Sequence, residues 1–185
     1  MDSIELMVEE HRNIKRVLMV IRKLALKILD IGEVDSEAYY KIIDFVRNYA
    51  DKHHHSKEED ILFKKMIEEL GTDVEEGPIA NMLNEHQMGR MFMQKLENAL
   101  EEYKQQGSEG AKIDIIANSV AYADMLYHHI DKEDEAVYVY GKANLSKEGM
   151  EAVKKEVQNV EKSAAKNGVQ DKYIAIVEEL ELRVK

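Results

Sequence analysis

Asp51-Lys52-His53-His54-His55-Ser56-Lys57-Glu58-Glu59-Asp60-Ile61-Leu62-Phe63 places three of the chain's seven histidines and two glutamates between positions 53 and 59. His54 and Glu58 are four residues apart, so on a helix one stacks above the other. An imidazole and a carboxylate aimed at one point form a pair that iron or zinc accepts. The fold turns on whether other helices bring further ligands to that point.

Helical spacing supplies them. A first helix is expected over residues 3–30, capped by Ser3, with Glu5 and Glu9 at its positive end. Its apolar positions Ile4, Met7, Ile14, Leu18, Ile21, Ala25 and Ile28 leave one gap in the seam, and His11 fills it. Gly32 ends this helix. In a second helix over 36–70, taken at about 100° per residue, Ile43, Ala50, His54, Glu58 and Ile61 share a narrow arc. His53 and His55 fall to either side and Glu59 further round. This favours His54 with Glu58 over His55 with Glu59, keeps His55 as a flanking ligand and puts His53 at the rim. Residues 71–78, with Gly71, Gly77 and Pro78, read as a turn. The seam of a third helix over 79–106 contains Met82, His86, Gly89, Met93 and Leu96, with Arg90 one turn beyond His86. After a break at 107–110, a fourth helix over 111–140 sets Tyr122, Leu126, His129, Glu133 and Val137 on one face and turns His128 to water. Two shorter helices follow, from Ser146 to about 166 and over 173–184.

Four long helices joined by short breaks predict an all-α, up-down-up-down four-helix bundle over residues 1–142. Residues 143–185 form a C-terminal helical extension that packs on the bundle or on a second subunit, as in a homodimer. Each long helix gives one histidine to its buried stripe: His11, His54, His86 and His129. A single histidine on an apolar face is ordinarily a core residue bonded to a neighbour. Four of them with Glu58 and Glu133 are another matter, because burying such a set uncompensated costs several kcal/mol. A bound cation supplies the compensation. The methionines at 82, 88, 91 and 93 spread around their helix and read as packing, not as a thioether copper site. Tyr122, Tyr127 and Tyr138 lie near the site in sequence and read as core or rim packing.

Composition narrows the chemistry. With no cysteine among 185 residues, zinc ribbons, iron–sulfur clusters and thiol catalysis are excluded. A formal net charge of −11 leaves no basic stripe for phosphates, so nucleic acid is not an expected partner. The N-terminus lacks a basic region followed by an apolar run, and no apolar stretch approaches a membrane span; the expectation is a cytoplasmic protein without a membrane partner. Neither Glu-x-x-His nor His-Glu-x-x-His occurs, which sets the chain apart from ferritin-like carboxylate proteins and zincins.

The segments Glu10-His11-Arg12-Asn13-Ile14, His54-His55-Ser56-Lys57-Glu58-Glu59-Asp60-Ile61-Leu62-Phe63, Glu85-His86-Gln87-Met88-Gly89-Arg90 and His129-Ile130-Asp131-Lys132-Glu133-Asp134 resemble, in this order, the motifs of the hemerythrin-like, or HHE cation-binding, family. They cover about residues 3–140, and the tail resembles the extension of some bacterial members. The resemblance implies a non-haem di-iron site: two Fe ions bridged by carboxylates and an oxo or hydroxo group, with Zn or Mn as alternatives. Carried over by position, it implies the ligands His11, His54, Glu58, His86 and His129, followed by Glu133 or Asp134; helical stacking favours Glu133. The family's oxygen carriers have another histidine where this chain has Arg90, which argues against simple reversible oxygen carriage. His55 is the implied substitute, with water or Glu85 as other fillings. Arg90 would be a buried cation near the metals, suited to peroxide, nitrite or another anion. The implied function is binding or reaction with O2, peroxide or nitric oxide in sensing, storage or detoxification, with weak oxidoreductase activity. The other reading is a metal-storage or regulatory interaction module without turnover.

Overall fold

A computed structural model describes residues 2–185; Met1, where the expected bundle domain begins, lies outside the described residues. The described residues form six helices and no strand. Helix α1 is Ser3–Ile31. Its cap is Asp2, not Ser3: Asp2 is still extended, its carboxylate accepts from the Ile4 N–H, and Glu5 reaches back to the Asp2 N–H, while Ser3 is already in the helix. Gly32 ends α1 at φ 72°, a left-handed conformation that glycine adopts without strain.

Helix α2 spans residues 36–70 without a break, capped by Asp35. It starts as α-helix over Ser36–Phe45, widens to i→i+5 bonding over Val46–His55 and again over Glu58–Phe63, and closes as α-helix over Lys64–Leu70. Gly71 alone separates it from α3, residues 72–106. The turn expected over 71–78 is therefore helical from Thr72 onward. Pro78 is accommodated in a wide turn over Glu75–Ile79, since it has no N–H to give the regular ladder. Helix α4 covers residues 109–144, capped by Ser108, and continues through Gly141, where a boundary was expected. Ser146 caps α5, Lys147–Lys166, and α6 is Val169–Leu182, starting earlier than its expected residue 173.

The short connections make α1 to α4 successive antiparallel neighbours in one bundle. Its apolar interior is split in two. One cluster gathers Ile14, Val17, Leu18, Ile21, Tyr39, Ile42, Phe45, Leu96, Leu100 and Leu126. The other gathers Ile4, Met7, Leu62, Phe63, Met66, Ile79, Met82 and Val137. Tyr173, Val177 and Leu180 of α6 are buried in the first cluster, and Val153 and Val157 of α5 in the second. Each such large side chain contributes about 1.5–3 kcal/mol by its burial. Between the clusters lies a layer of buried polar side chains, one histidine or more from each long helix. No helix among the described residues is long and apolar enough to cross a membrane.

Candidate metal centre

The wide turns of α2 shape this layer. A turn closed by i→i+5 bonds holds more residues than an α-turn, so consecutive side chains diverge by a smaller angle. His53, His54 and His55 are accordingly all buried, at 5%, 0% and 6% exposure. This corrects the rim position expected for His53, which assumed regular α-helical spacing. His54 and His55 both join the central layer, while His53 turns toward α1 and α5.

Two groups of potential ligand atoms result: His11, His54, Glu58 and Glu133, and His55, His86 and His129. The two glutamates stand between them. Glu58 Oε1 lies 3.6 Å from His54 Nε2 and 4.0 Å from His11 Nε2, and its Oε2 lies 3.5 Å from His86 Nε2. Glu133 Oε2 lies 3.3 Å from His11 Nε2, and its Oε1 lies 3.1 Å from His129 Nε2 and 3.8 Å from His86 Nε2. Each carboxylate thus turns one oxygen to each histidine group. Asp134 is placed differently: it accepts from the outer nitrogen, Nδ1, of His11 at 2.7 Å.

Every other inward imidazole also has a carboxylate at Nδ1: Glu10 for His54 at 2.7 Å, Asp51 for His55 at 3.4 Å, Glu59 for His86 at 2.7 Å and Glu85 for His129 at 2.8 Å. This arrangement fixes ring orientation and turns each Nε2 inward, as in carboxylate–histidine–metal arrays. Glu85 is engaged here and does not fill a position in the inner layer. The signal for these partners was present in the sequence, since Glu10, Glu59, Glu85 and Asp134 each adjoin an inward His or Glu, and Asp51 precedes His55 by one turn.

The inner atoms are otherwise unsatisfied. His11 Nε2, His54 Nε2, Glu58 Oε2 and both oxygens of Glu133 are buried without a hydrogen-bond partner. His86 Nε2 and His129 Nε2 face each other at 3.0 Å, and neutral rings that donate Nδ1–H outward would each present a lone pair there. Buried polar atoms this closely set and without partners are costly in a dry interior, and cations between them remove the cost. The residues present therefore fit a metal centre.

Ionisation follows the crowding. Burial, with Glu133 beside it, pushes Glu58 well above the usual carboxylate range. Burial acts on Glu133 in the same direction, but the facing His129 and His11 outweigh it and hold Glu133 well below that range. Burial and the His11 charge push His54 down to about 4, and burial with His86 nearby takes His55 well below the histidine range. For His11 burial is outweighed by Asp134 and Glu133, which raise it to about 9. The Tyr138 hydroxyl donates to Glu58 Oε1, and its ring stacks on His11 at 5.5 Å. Tyr127, by contrast, is exposed.

One open cavity of about 200 Å³ reaches the layer between α2 and α3, lined among others by His55, His86, Gly89, Arg90, Met93 and Tyr122. The Tyr122 hydroxyl is buried and unpartnered. Arg90 differs from its expected role as a buried free cation. It is one-third exposed and donates to Asp51 at 2.6 Å and to Glu59 at 2.7 Å, the carboxylates that hold His55 and His86. Two anions already neutralise it, so nothing remains to attract another.

A helical bundle crossed by a buried histidine–glutamate layer of this kind is a cation-binding protein. The chain belongs to the hemerythrin HHE cation-binding family: the family model described as "Hemerythrin HHE cation binding domain" matches residues 2–140. No curated protein and no solved structure matches the chain.

Proposed function

We propose that this protein holds two non-haem iron ions and uses them to bind or react with a small ligand: O2, peroxide or nitric oxide. The observation that carries the reading is that Glu58 and Glu133 each face both histidine groups, so that each would be in reach of both ions. His11 and His54 would hold one ion and His55, His86 and His129 the other, from the two groups of ligand atoms. Imidazole with carboxylate suits iron, and zinc or manganese would also be accepted. When bound, iron supplies the redox chemistry toward O2, peroxide or nitric oxide.

The chain's own residues supply orientation, access and proton placement. The five outer carboxylates hold the imidazoles with Nε2 inward. Tyr138 keeps a proton on its oxygen beside Glu58, because burial and the Glu58 charge push its ionisation far up. The apolar clusters above and below exclude bulk water, and the cavity beside His55 and His86 admits a ligand of a few heavy atoms. With Arg90 neutralised, this route suits an uncharged ligand better than nitrite or another anion. Deep burial of every inner residue disfavours a storage role, which needs ready exchange of metal with solvent.

The test is anaerobic reconstitution with Fe(II), metal analysis and optical spectroscopy before and after exposure to air or nitric oxide. About two irons per chain and a near-ultraviolet absorption change are expected. A chain that retains no iron, or whose loaded form ignores both gases, overturns the proposal.

A further inference from the structure

Glu161 of α5 lies outside residues 2–140, the stretch matched by the family model. Its carboxylate nevertheless enters the polar interior, where it accepts from Lys57 Nζ at 2.6 Å and lies 3.3 Å from His53 Nε2. Gln170 of α6 holds the other Glu161 oxygen at 2.7 Å. Lys57 is fully buried and also donates to Glu10 Oε1. Glu10 Oε1 receives His53 at 3.0 Å, and Glu10 Oε2 holds His54 Nδ1 at 2.7 Å. Glu10, His53 and Glu161 bring ligand atoms within 4.8 Å of one another, but the Lys57 ammonium already occupies the space between the two carboxylates, so this cluster is no third cation site.

We infer that Glu161 is a positioning residue for the metal centre, and that through Lys57 and Glu10 the C-terminal extension sets the orientation and basicity of the His54 ring. This goes beyond the proposed function and uses that reading only for its metal readout. The argument is one of charge. A buried ammonium needs compensation in full. With two carboxylates sharing Lys57, Glu10 keeps one oxygen directed at His54. Without the Glu161 charge, Lys57 draws on Glu10 alone and pulls it from the ring. Partners of metal-bound histidines typically change affinity by about 10–100-fold when removed, and a group one step further out is expected to change it by about threefold to tenfold.

The experiment compares the full-length wild-type chain with Glu161→Gln, which removes charge but not shape, and with Val157→Ala, which trims a buried α5 side chain one turn before Glu161 and leaves every charged group of the relay in place. Side-chain ¹⁵N NMR of the metal-free proteins reads the ring nitrogens of His54, and Co(II) titration against a chromophoric chelator reads affinity and the visible spectrum. Glu161→Gln is expected to shift the His54 signals, weaken Co(II) binding about threefold to tenfold and change the spectrum. Val157→Ala is expected to lower Tm while leaving all three in place. In a Lys57→Met background Glu161→Gln is expected to add no further shift, because the relay is already cut. Unchanged His54 signals in Glu161→Gln overturn the inference, as do equal changes in Val157→Ala. A wild-type chain that takes up no Co(II) counts against the metal reading instead, and the metal-free ring signals still decide the relay.

Discussion

Two neighbouring carboxylates of α4 have different tasks. Glu133 is enclosed between His11 and His129, whereas Asp134 stays outside and steers His11 through Nδ1. Glu133→Gln is therefore expected to lower metal stoichiometry, since the variant removes the charge of a carboxylate that faces both histidine groups. Asp134→Asn should keep the stoichiometry and weaken affinity by about 10–100-fold. Metal analysis with competition titration checks the pair, and a reversed ranking would exchange their roles. His11 also predicts a pH dependence. Raised to about 9, it is protonated at neutral pH in the metal-free protein, and coordination requires the neutral ring. Metal uptake then releases that proton. Affinity should fall by about tenfold per unit for the His11 proton as pH drops below about 9. A titration series with a proton-release dye reads this, and a flat profile would rule it out.

At the level of the element, α2 decides the composition of the centre. Regular α-helical geometry would carry His53 and His55 away from His54; the wide turn over Val46–His55 keeps all three inside. Wide turns depart from the best backbone hydrogen bonding and recur at functional sites. In the metal-free protein the segment is held by its packing and by polar contacts from other helices: Glu10 on His53 and His54, Glu161 on His53, Glu97 on Arg47 and Arg90 on Asp51. Hydrogen exchange over Val46–His55 and Glu58–Phe63 is expected to slow by at least about tenfold on metal binding, with little change in Leu18–Leu24 of α1, which lies in the apolar cluster. Equal protection with and without metal would mean that α2 does not depend on the ions.

The molecule as a whole is two apolar clusters joined across a charged layer, and the layer is its weakest part without cations. A metal at about one hundred times its Kd adds about 2.7 kcal/mol per site to folding stability. For a chain of this size that raises Tm by about 5–10 °C per ion, and chelation should reverse it. Scanning calorimetry with and without Fe(II) under argon measures the shift; an unchanged Tm would show that the layer is self-sufficient. Residues of α6 are buried in one cluster and residues of α5 in the other.

Much of this was legible from residue order. Helical period alone picked His11, His54, His86 and His129 with Glu58 and Glu133, because an interruption in an apolar seam marks a side chain that must face the interior. Periodicity reports a face and not a distance across the bundle. The wide turns that bury His53 and His55, the pairing of Glu10, Glu59, Glu85 and Asp134 with their rings, the neutralised Arg90 and the Lys57–Glu161 relay depend on how helices are rotated and set in register against one another. Those contacts join residues as far apart in the chain as 11 and 134 or 57 and 161, and only the packed tertiary structure brings them together.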